Sequence, residues 1–199
     1  MFVLRALIII MLSFTATLST NAQLSNRNKT KKDIIFSGNF HYGKALKHTP
    51  KFKPDIPGRS VMAEFNFGVN VSGKKYWNHR FKFPEVGGAF IYIDFGNLTV
   101  LGRASGLYPY ISFPAVNKPK YKFQIRLGSG IAYLTKPYHV IDNPTNNVIG
   151  SKINNVTQLK FLNNIKLNNK WRLLAGVVFT HFSNGNVQKP NLGINVVSG

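Results

Sequence analysis

The sequence predicts an all-β protein, an eight-stranded antiparallel outer-membrane β-barrel, on three observations. Period-2 alternation of polarity recurs along the chain in segments of about ten residues or more, the length that a tilted membrane strand needs. Aromatic residues lie at the ends of the apolar faces of these segments, as Tyr121 and Tyr133 do. The opposite faces carry polar side chains and glycine, which suit the interior of a small membrane barrel.

Composition narrows the class of protein further. The 199 residues include 26 Lys and Arg against 6 Asp and Glu, a formal net charge of +20, and they include no cysteine. Mean hydropathy is −0.09, and no apolar run reaches the roughly 18 residues of a membrane-spanning helix, which excludes a helical membrane protein. The lack of cysteine excludes a disulfide scaffold, a thiolate zinc site and a cysteine nucleophile.

Residues 1–22 predict a cleaved signal peptide. Arg5 precedes the apolar residues 6–18, and Thr20-Asn21-Ala22 forms a small-residue cleavage site that leaves Gln23 first. Residues 23–199 then form a single β-barrel domain. Because an exported protein does not meet cytoplasmic nucleic acid, its positive charge predicts a different partner. We expect an anionic membrane surface or a phosphorylated glycolipid, and no nucleic acid.

Each strand is predicted from its own alternation. The segments 61–72 and 121–133 show the clearest pattern, with apolar side chains at nearly every odd position. The predicted strands are 34–43, 61–72, 87–96, 98–108, 121–133, 152–167 and 170–183, with an eighth that begins near Asn191. Gly96-Asn97 predicts a two-residue hairpin, and Asn168-Asn169 predicts another tight turn. Pro- and Asn-rich connections are predicted at 49–58, 114–120 and 135–150.

Two architectures accommodate such strands. A soluble lipocalin-like barrel directs its apolar faces inward, whereas an outer-membrane barrel directs them toward lipid. Strand length favours the membrane barrel. The polar set Lys122, Gln124 and Arg126 also suits a hydrogen-bonded lumen better than a dry core.

The candidate chemistry lies in the last predicted long strand. His181 and Ser183 stand at positions i and i+2, so they share one face and lie about 6.5–7 Å apart along the strand. An imidazole can span that gap, which makes the two residues a candidate general base and serine nucleophile. They continue the apolar face, so in a membrane barrel they face lipid. The five histidines and six acidic residues show no metal-ligand spacing, so no metal and no cofactor are expected.

Residues 181–195 resemble the signature of the lipid A 3-O-deacylase (PagL-type) family, eight-stranded outer-membrane barrels. The segment is His181-Phe182-Ser183-Asn184-Gly185, followed by Pro190-Asn191-Leu192-Gly193-Ile194-Asn195. The resemblance implies an outer-membrane esterase that removes an ester-linked 3-hydroxyacyl chain from the lipid A of lipopolysaccharide. By that resemblance His181 is the base and Ser183 the nucleophile, and Asn184 and Asn191 are oxyanion-hole or second-shell residues.

Weaker resemblance extends to longer relatives often labelled acyloxyacyl hydrolases, and covers about 36–195. It rests on His41-Tyr42-Gly43, Tyr76-Trp77, Pro84 with Gly87-Gly88, and residues 143–151.

Two features depart from the family pattern. Asn195 stands where the family has a glutamate, so as third catalytic member it can orient the imidazole but cannot stabilise its charge. A slower enzyme is expected, unless Asp142 or another acid substitutes through space, or unless the branch has lost catalysis. Only four residues follow Asn195, so we expect an eighth strand that is cut short and a chain that is a fragment.

Three rival functions stay open at this stage. The first is a non-catalytic small outer-membrane barrel with a structural or glycolipid-binding role, which Asn195 favours. The second is a soluble exported lipocalin-like binder of a hydrophobic ligand, and the third, least favoured, is a nucleic-acid binder. A homodimer also stays open.

Overall fold

The structure, a computed structural model, describes residues 34–71, 76–168 and 172–199, and it consists of one closed antiparallel barrel. The strands pair in chain order, and β8 pairs with β1. Their bounds are β1 Ile34–Leu46, β2 Ser60–Asn70, β3 Glu85–Asp94, β4 Arg103–Lys118, β5 Tyr121–Leu134, β6 Ile153–Lys166, β7 Arg172–Ser183 and β8 Ile194–Ser198. The predicted eight-stranded antiparallel barrel is therefore confirmed. The predicted signal peptide, residues 1–22, lies outside the described residues.

Each strand presents one set of side chains to the lumen and the other to the outside. Even-numbered residues of β2 and β7, such as Met62 and Phe182, are buried in the barrel, whereas odd-numbered neighbours such as Phe65 and Phe179 are exposed. Large apolar side chains thus cover the outer wall, as expected for a barrel whose solvent is lipid. A soluble barrel with its apolar faces inward does not fit this distribution.

Charged and polar side chains fill the middle of the lumen. The buried Lys160 forms an ion pair with Glu64, whose second carboxylate oxygen accepts a hydrogen bond from the Tyr108 hydroxyl at 2.9 Å. Arg126 contacts Glu85 with a nitrogen–oxygen distance of 3.0 Å. Because each buried charge has an opposite partner, the lumen avoids the large penalty of an isolated buried charge. The predicted hydrogen-bonded lumen is what the structure contains.

The two ends of the barrel differ in their connections. The upper rim is formed by the connections 47–59, 95–102, 135–152 and 184–193. The lower rim, at the opposite end, includes helix α1 (Tyr76–Arg80) between β2 and β3, and residues 119–120 between β4 and β5. Within the ranges that the structure describes, no helix has the length and apolar character needed to cross a membrane.

Asparagine side chains hold the upper rim in place. Asn143 Nδ2 donates a hydrogen bond to the carbonyl oxygen of Val100 at 2.9 Å, and Asn146 Nδ2 donates one to that of Lys136 at 2.6 Å. Both asparagines are buried although they belong to a connection. Bonds from both asparagines to Val100 tie the connection 135–152 to the neighbouring connection 95–102.

The start of β4 and the turn before it were predicted wrongly. The predicted strand 98–108 and the two-residue Gly96-Asn97 hairpin are replaced by a connection, 95–102, and a strand that begins at Arg103. Asn97 causes the difference, because its Oδ1 accepts a hydrogen bond from the Val100 amide at 3.0 Å and so closes a local turn. Gly102, with φ of 67°, then reverses the chain into β4.

The predicted connection at 114–120 was also wrong. Strand β4 continues to Lys118, and only residues 119–120 separate it from β5. Pro114 is tolerated because the β4–β5 register shifts between Pro114 and Val116, where an amide is not needed for the ladder.

Strand β8 closes the barrel at the upper rim. It has five residues, whereas the other strands have 10 to 16. Asn195 lies opposite His181 of β7 on one side and opposite Leu46 of β1 on the other. β8 begins at Ile194 and not near Asn191, because the intervening residues form the connection that ends at Gly193.

Candidate active site

The predicted base and nucleophile lie on the outer wall, at the upper end of β7. Phe182, which separates them, is fully buried in the lumen and packs edge-on against Phe95, with ring centroids 5.2 Å apart. Because successive side chains of a strand point to opposite faces, this anchor directs His181 and Ser183 outward. Both are half-buried.

Asn195 holds the imidazole of His181. The two residues are direct partners in the β7–β8 register, and His181 Nδ1 is 2.6 Å from Asn195 Oδ1. With an oxygen as its partner, Nδ1 is the nitrogen that carries the proton, so Nε2 has the free lone pair of a base. Among the described residues, neither Nε2 of His181 nor Oγ of Ser183 has a hydrogen-bond partner.

Gly193 makes room for the imidazole. A Cβ at this position would lie 2.8 Å from His181 Cε1, closer than such atoms can approach. Its φ of 79° also belongs to the left-handed region that favours glycine. The connection between β7 and β8 therefore passes directly beside the ring, and any side chain here would displace it.

The two predicted second-shell asparagines build the connection that follows Ser183. Asn191 Oδ1 accepts a hydrogen bond from the Asn184 amide at 3.0 Å. Asn184 Nδ2 donates to Ser151 Oγ at 3.0 Å and to the Gln188 carbonyl oxygen at 2.6 Å. The Asn184 N–H can donate only to the oxygen of the Asn191 side-chain amide. The nitrogen of that amide, Nδ2, is therefore directed away from the Asn184 backbone.

Three further polar residues of the outer wall were missed from the sequence. Thr157 of β6 lies opposite His181, and Ser129 of β5 lies opposite Thr157. Ser129 Oγ and Thr157 Oγ1 are 3.0 Å apart, and Asn155 joins both: its Nδ2 donates to Ser129 and its Oδ1 accepts from Thr157. The polar pair at 155 and 157, between apolar residues on the same face of β6, was the available signal.

Carboxylates contribute little free negative charge to the upper rim. Each one that the structure describes has a basic partner within 4 Å: Asp55 with Lys47, Glu64 with Lys160, Glu85 with Arg126, Asp94 with Arg103 and Asp142 with His139. The hydrogen bond from Lys47 Nζ, 2.8 Å long, and its charge lower the pKa of the exposed Asp55 carboxyl. Asp142 therefore pairs with His139 and not with His181. No group of three metal-ligating side chains occurs in 34–71, 76–168 and 172–199.

Comparison with known families decides the relationship of this chain. The family model described as lipid A 3-O-deacylase (PagL) matches residues 63–199, which is more than half of the chain. The chain belongs to the PagL family. The matched range includes β3 to β8 and nearly all of β2, and with them every residue of the candidate site, so the resemblance found in residues 181–195 is confirmed at the level of the family.

A solved structure of the PagL family supports the fold. The barrel is similar to the crystal structure of the outer membrane enzyme PagL, with a TM-score of 0.58 and 15% sequence identity. The similarity covers 82% of this chain and 94% of that chain. No curated protein matches the sequence. At this identity the likeness concerns the fold alone and assigns no role to any residue.

Proposed function

We propose that the protein is an outer-membrane carboxylic ester hydrolase that removes an ester-linked 3-hydroxyacyl chain from lipid A. Membership of the PagL family supports the substrate class. The observation that carries the residue roles is the 2.6 Å contact between His181 Nδ1 and Asn195 Oδ1 on the outer wall. It leaves Nε2 as the base, on the face that also carries Ser183.

The reaction follows the usual course of a serine esterase. Ser183 Oγ attacks the ester carbonyl carbon as His181 Nε2 takes the hydroxyl proton. The tetrahedral intermediate collapses, the sugar oxygen leaves and takes that proton from Nε2, and an acyl-serine remains. Water, activated by the same imidazole, then attacks the acyl-serine and releases the 3-hydroxy fatty acid. The free Nε2 and Oγ can form the hydrogen bond between them once substrate is bound, since such contacts commonly tighten in the complex.

Asn195 and Asn191 have separate roles in this scheme. Asn195 keeps the proton on Nδ1 but supplies no negative charge, so it stabilises the imidazolium less than a carboxylate would. Asn191 Nδ2 is the oxyanion donor, because its Oδ1 is already occupied by the Asn184 amide. Asn184 acts through Asn191 by holding the connection that carries it.

The outer-wall position of the pair matches a substrate that stays in the membrane. An acyl chain of lipid A can reach Ser183 from the surrounding leaflet without entering the lumen, which is filled by side chains. The chemistry requires neither a metal nor a cofactor. The signal peptide, the outer-membrane location and assembly as a homodimer stay predictions.

The test is lipid A mass spectrometry of cells that produce the protein. In a host whose lipid A is known, the wild-type chain should remove the mass of one 3-hydroxyacyl group, and Ser183→Ala should remove none. Ser105→Ala is the matched control, because Ser105 is also a half-buried serine facing outward, on β4. Membrane insertion of all three is checked by heat-modifiable migration in gels.

Deacylation by inserted Ser183→Ala at the wild-type rate would overturn the proposed nucleophile. Unchanged lipid A in cells with inserted wild-type protein would favour the second candidate, a non-catalytic barrel that binds glycolipid. The uncharged Asn195 is the observation in favour of that candidate, since it removes the negative charge of a catalytic triad.

A further inference from the structure

A pocket of about 670 Å³ opens at the upper rim, next to the candidate active site. Its walls come from the three connections 47–59, 135–152 and 184–193. We call this cavity the rim pocket, and its lining includes Lys51, Lys53, Tyr138, Asn147, Lys189 and Asn191. The volume lies within the range of about 300–1,000 Å³ that is typical of small-ligand sites.

The lysines of the rim pocket are presented by a fixed backbone. Asn147 Nδ2 donates a hydrogen bond to the Lys51 carbonyl oxygen at 2.5 Å, and its Oδ1 accepts one from the Lys53 amide at 3.0 Å. One side-chain amide therefore holds both residues of the first connection against the second. Lys189 comes from the third connection, where its carbonyl group lies so close to Gly150 that a Cβ there would approach it to 2.6 Å.

The three lysines have no carboxylate to neutralise them in the part of the chain that the structure describes. Every described carboxylate is paired with another residue, and none of those partners is Lys51, Lys53 or Lys189. Three lysines that line one concave site favour an anion with several acceptor oxygens, and a phosphate supplies them. Tyr138 adds an aromatic ring that is suited to packing against a sugar.

The rim pocket is joined to the nucleophile through Asn191. This residue lines the rim pocket, and its Oδ1 binds the amide of Asn184, the residue directly after Ser183. A single ligand can therefore occupy the pocket with one part and reach the outer face of β7 with another. A glycolipid that carries a phosphate on its sugar has both parts.

We propose that the rim pocket binds the sugar phosphate of the glycolipid substrate while the ester lies at Ser183. This inference rests on the proposed function and adds a preference that the catalytic residues alone do not supply. Lysine–phosphate contacts orient the sugar, so phosphorylated lipid A is favoured over the same lipid without its phosphates.

The experiment compares two substrates and three proteins in detergent micelles. The substrates are bis-phosphorylated lipid A and chemically dephosphorylated lipid A with the same acyl chains. The proteins are the wild type, Lys51→Gln/Lys53→Gln/Lys189→Gln, and a charge-matched control, Lys118→Gln/Lys136→Gln/Lys152→Gln, whose lysines are exposed outside the pocket. For the wild type and the control, kcat/KM should be about tenfold or more higher on phosphorylated lipid A, and this ratio should fall toward one in the pocket variant.

A binding arm separates this proposal from the proposed function. Affinity of each protein for both lipids is measured directly, so a wild type that hydrolyses neither lipid would refute the esterase and still test the pocket. Equal affinity of the wild type for both lipids, or an equal loss of preference in the control variant, overturns the proposal. Inorganic phosphate is added as a competitor: if it binds the wild type as tightly as phosphorylated lipid A does, the pocket is a phosphate site and not a glycolipid site.

Discussion

Asn155 of β6 lies directly opposite Ser183 of β7 on the outer wall of the barrel. Its amide is held by Ser129, Thr157 and the carbonyl oxygen of Gly130, all within 3.0 Å. The wall next to Ser183 is therefore polar and hydrogen-bonded, although the strands around it present apolar side chains to lipid. This arrangement extends the site from β7 and β8 across β6 to β5.

Removing the amide of Asn155 should weaken the enzyme without weakening the barrel. For Asn155→Leu we expect kcat/KM to fall about tenfold, because the wall beside Ser183 is no longer polar. The hydroxyl groups of Ser129 and Thr157 also lose their hydrogen bonds to Asn155. The measurement is lipid A deacylation in micelles. Asn163→Leu is the matched control, since Asn163 also faces outward on β6 and accepts a hydrogen bond from the Tyr121 hydroxyl toward the lower rim. An equal loss in both variants would contradict the role of Asn155.

The proposed role of Asn195 as third catalytic residue predicts changes of opposite sign in the kcat of two variants. Asn195→Asp should raise kcat, because a carboxylate opposite His181 stabilises the imidazolium as well as orienting it. Asn195→Leu should lower kcat by about 100-fold or more, because the proton on Nδ1 loses its partner and the imidazole loses its orientation as a base. Steady-state kinetics on both variants checks the pair. Wild-type activity in Asn195→Leu would show that the 2.6 Å contact has no part in catalysis.

Two glycines of the same connection allow a matched test of space around the imidazole. Gly193→Ala should lower activity at least about tenfold, because the new Cβ would lie 2.8 Å from His181 Cε1 and must displace the ring. Gly185→Ala is the control, because Gly185 also has a positive φ, 63°, and alanine there is strained by about 1–2 kcal/mol, as it is at Gly193. No atom lies within 4 Å of the Cβ that this substitution adds. Deacylation rates of the two variants are compared; similar losses would mean that backbone strain, and not the ring, is responsible.

The ion pair in the lumen predicts a stability effect that is independent of catalysis. Glu64→Leu and Lys160→Met should each lower the free energy of unfolding by about 3–5 kcal/mol, because each leaves its partner as an unpaired buried charge. The double variant should recover most of that loss. Urea unfolding in detergent, followed by tryptophan fluorescence, checks this, and a double variant less stable than either single variant would argue against it.

Much of the fold could be predicted because alternation is a local property of the chain. Strands β5, β6 and β7 were placed to within two residues, since polarity alternates along all three, although the outward face of β6 also carries Asn155, Thr157 and Asn163. The start of β4 could not be predicted, because Asn97 turns the chain through hydrogen bonds with its own side chain. Strand continuation through Pro114 was missed for a related reason: a register shift makes the proline harmless, and register depends on the neighbouring strand.

The candidate site likewise has residues that the sequence reveals and residues that only strand pairing reveals. His181 and Ser183 could be found because they are two residues apart on one strand, and Asn195 because it belongs to the same motif. Ser129, Asn155 and Thr157 lie between 24 and 52 residues before His181 in the chain. Only the pairing of β5, β6 and β7 brings Ser129 and Thr157 into the row of His181, and Asn155 into the row of Ser183.

The sequence by itself determined which side chains face lipid and which face the lumen, because a strand alternates its faces whatever it pairs with. Tertiary structure decided which outward residues meet, because the register of each pair depends on connections and bulges far away in the chain. The contact of Asn195 with His181 and the three lysines around one pocket exist only once β8 and the upper-rim connections are in place. The residue types of the candidate site are thus set by short stretches of sequence, and the distances between them are set by the closure of the barrel.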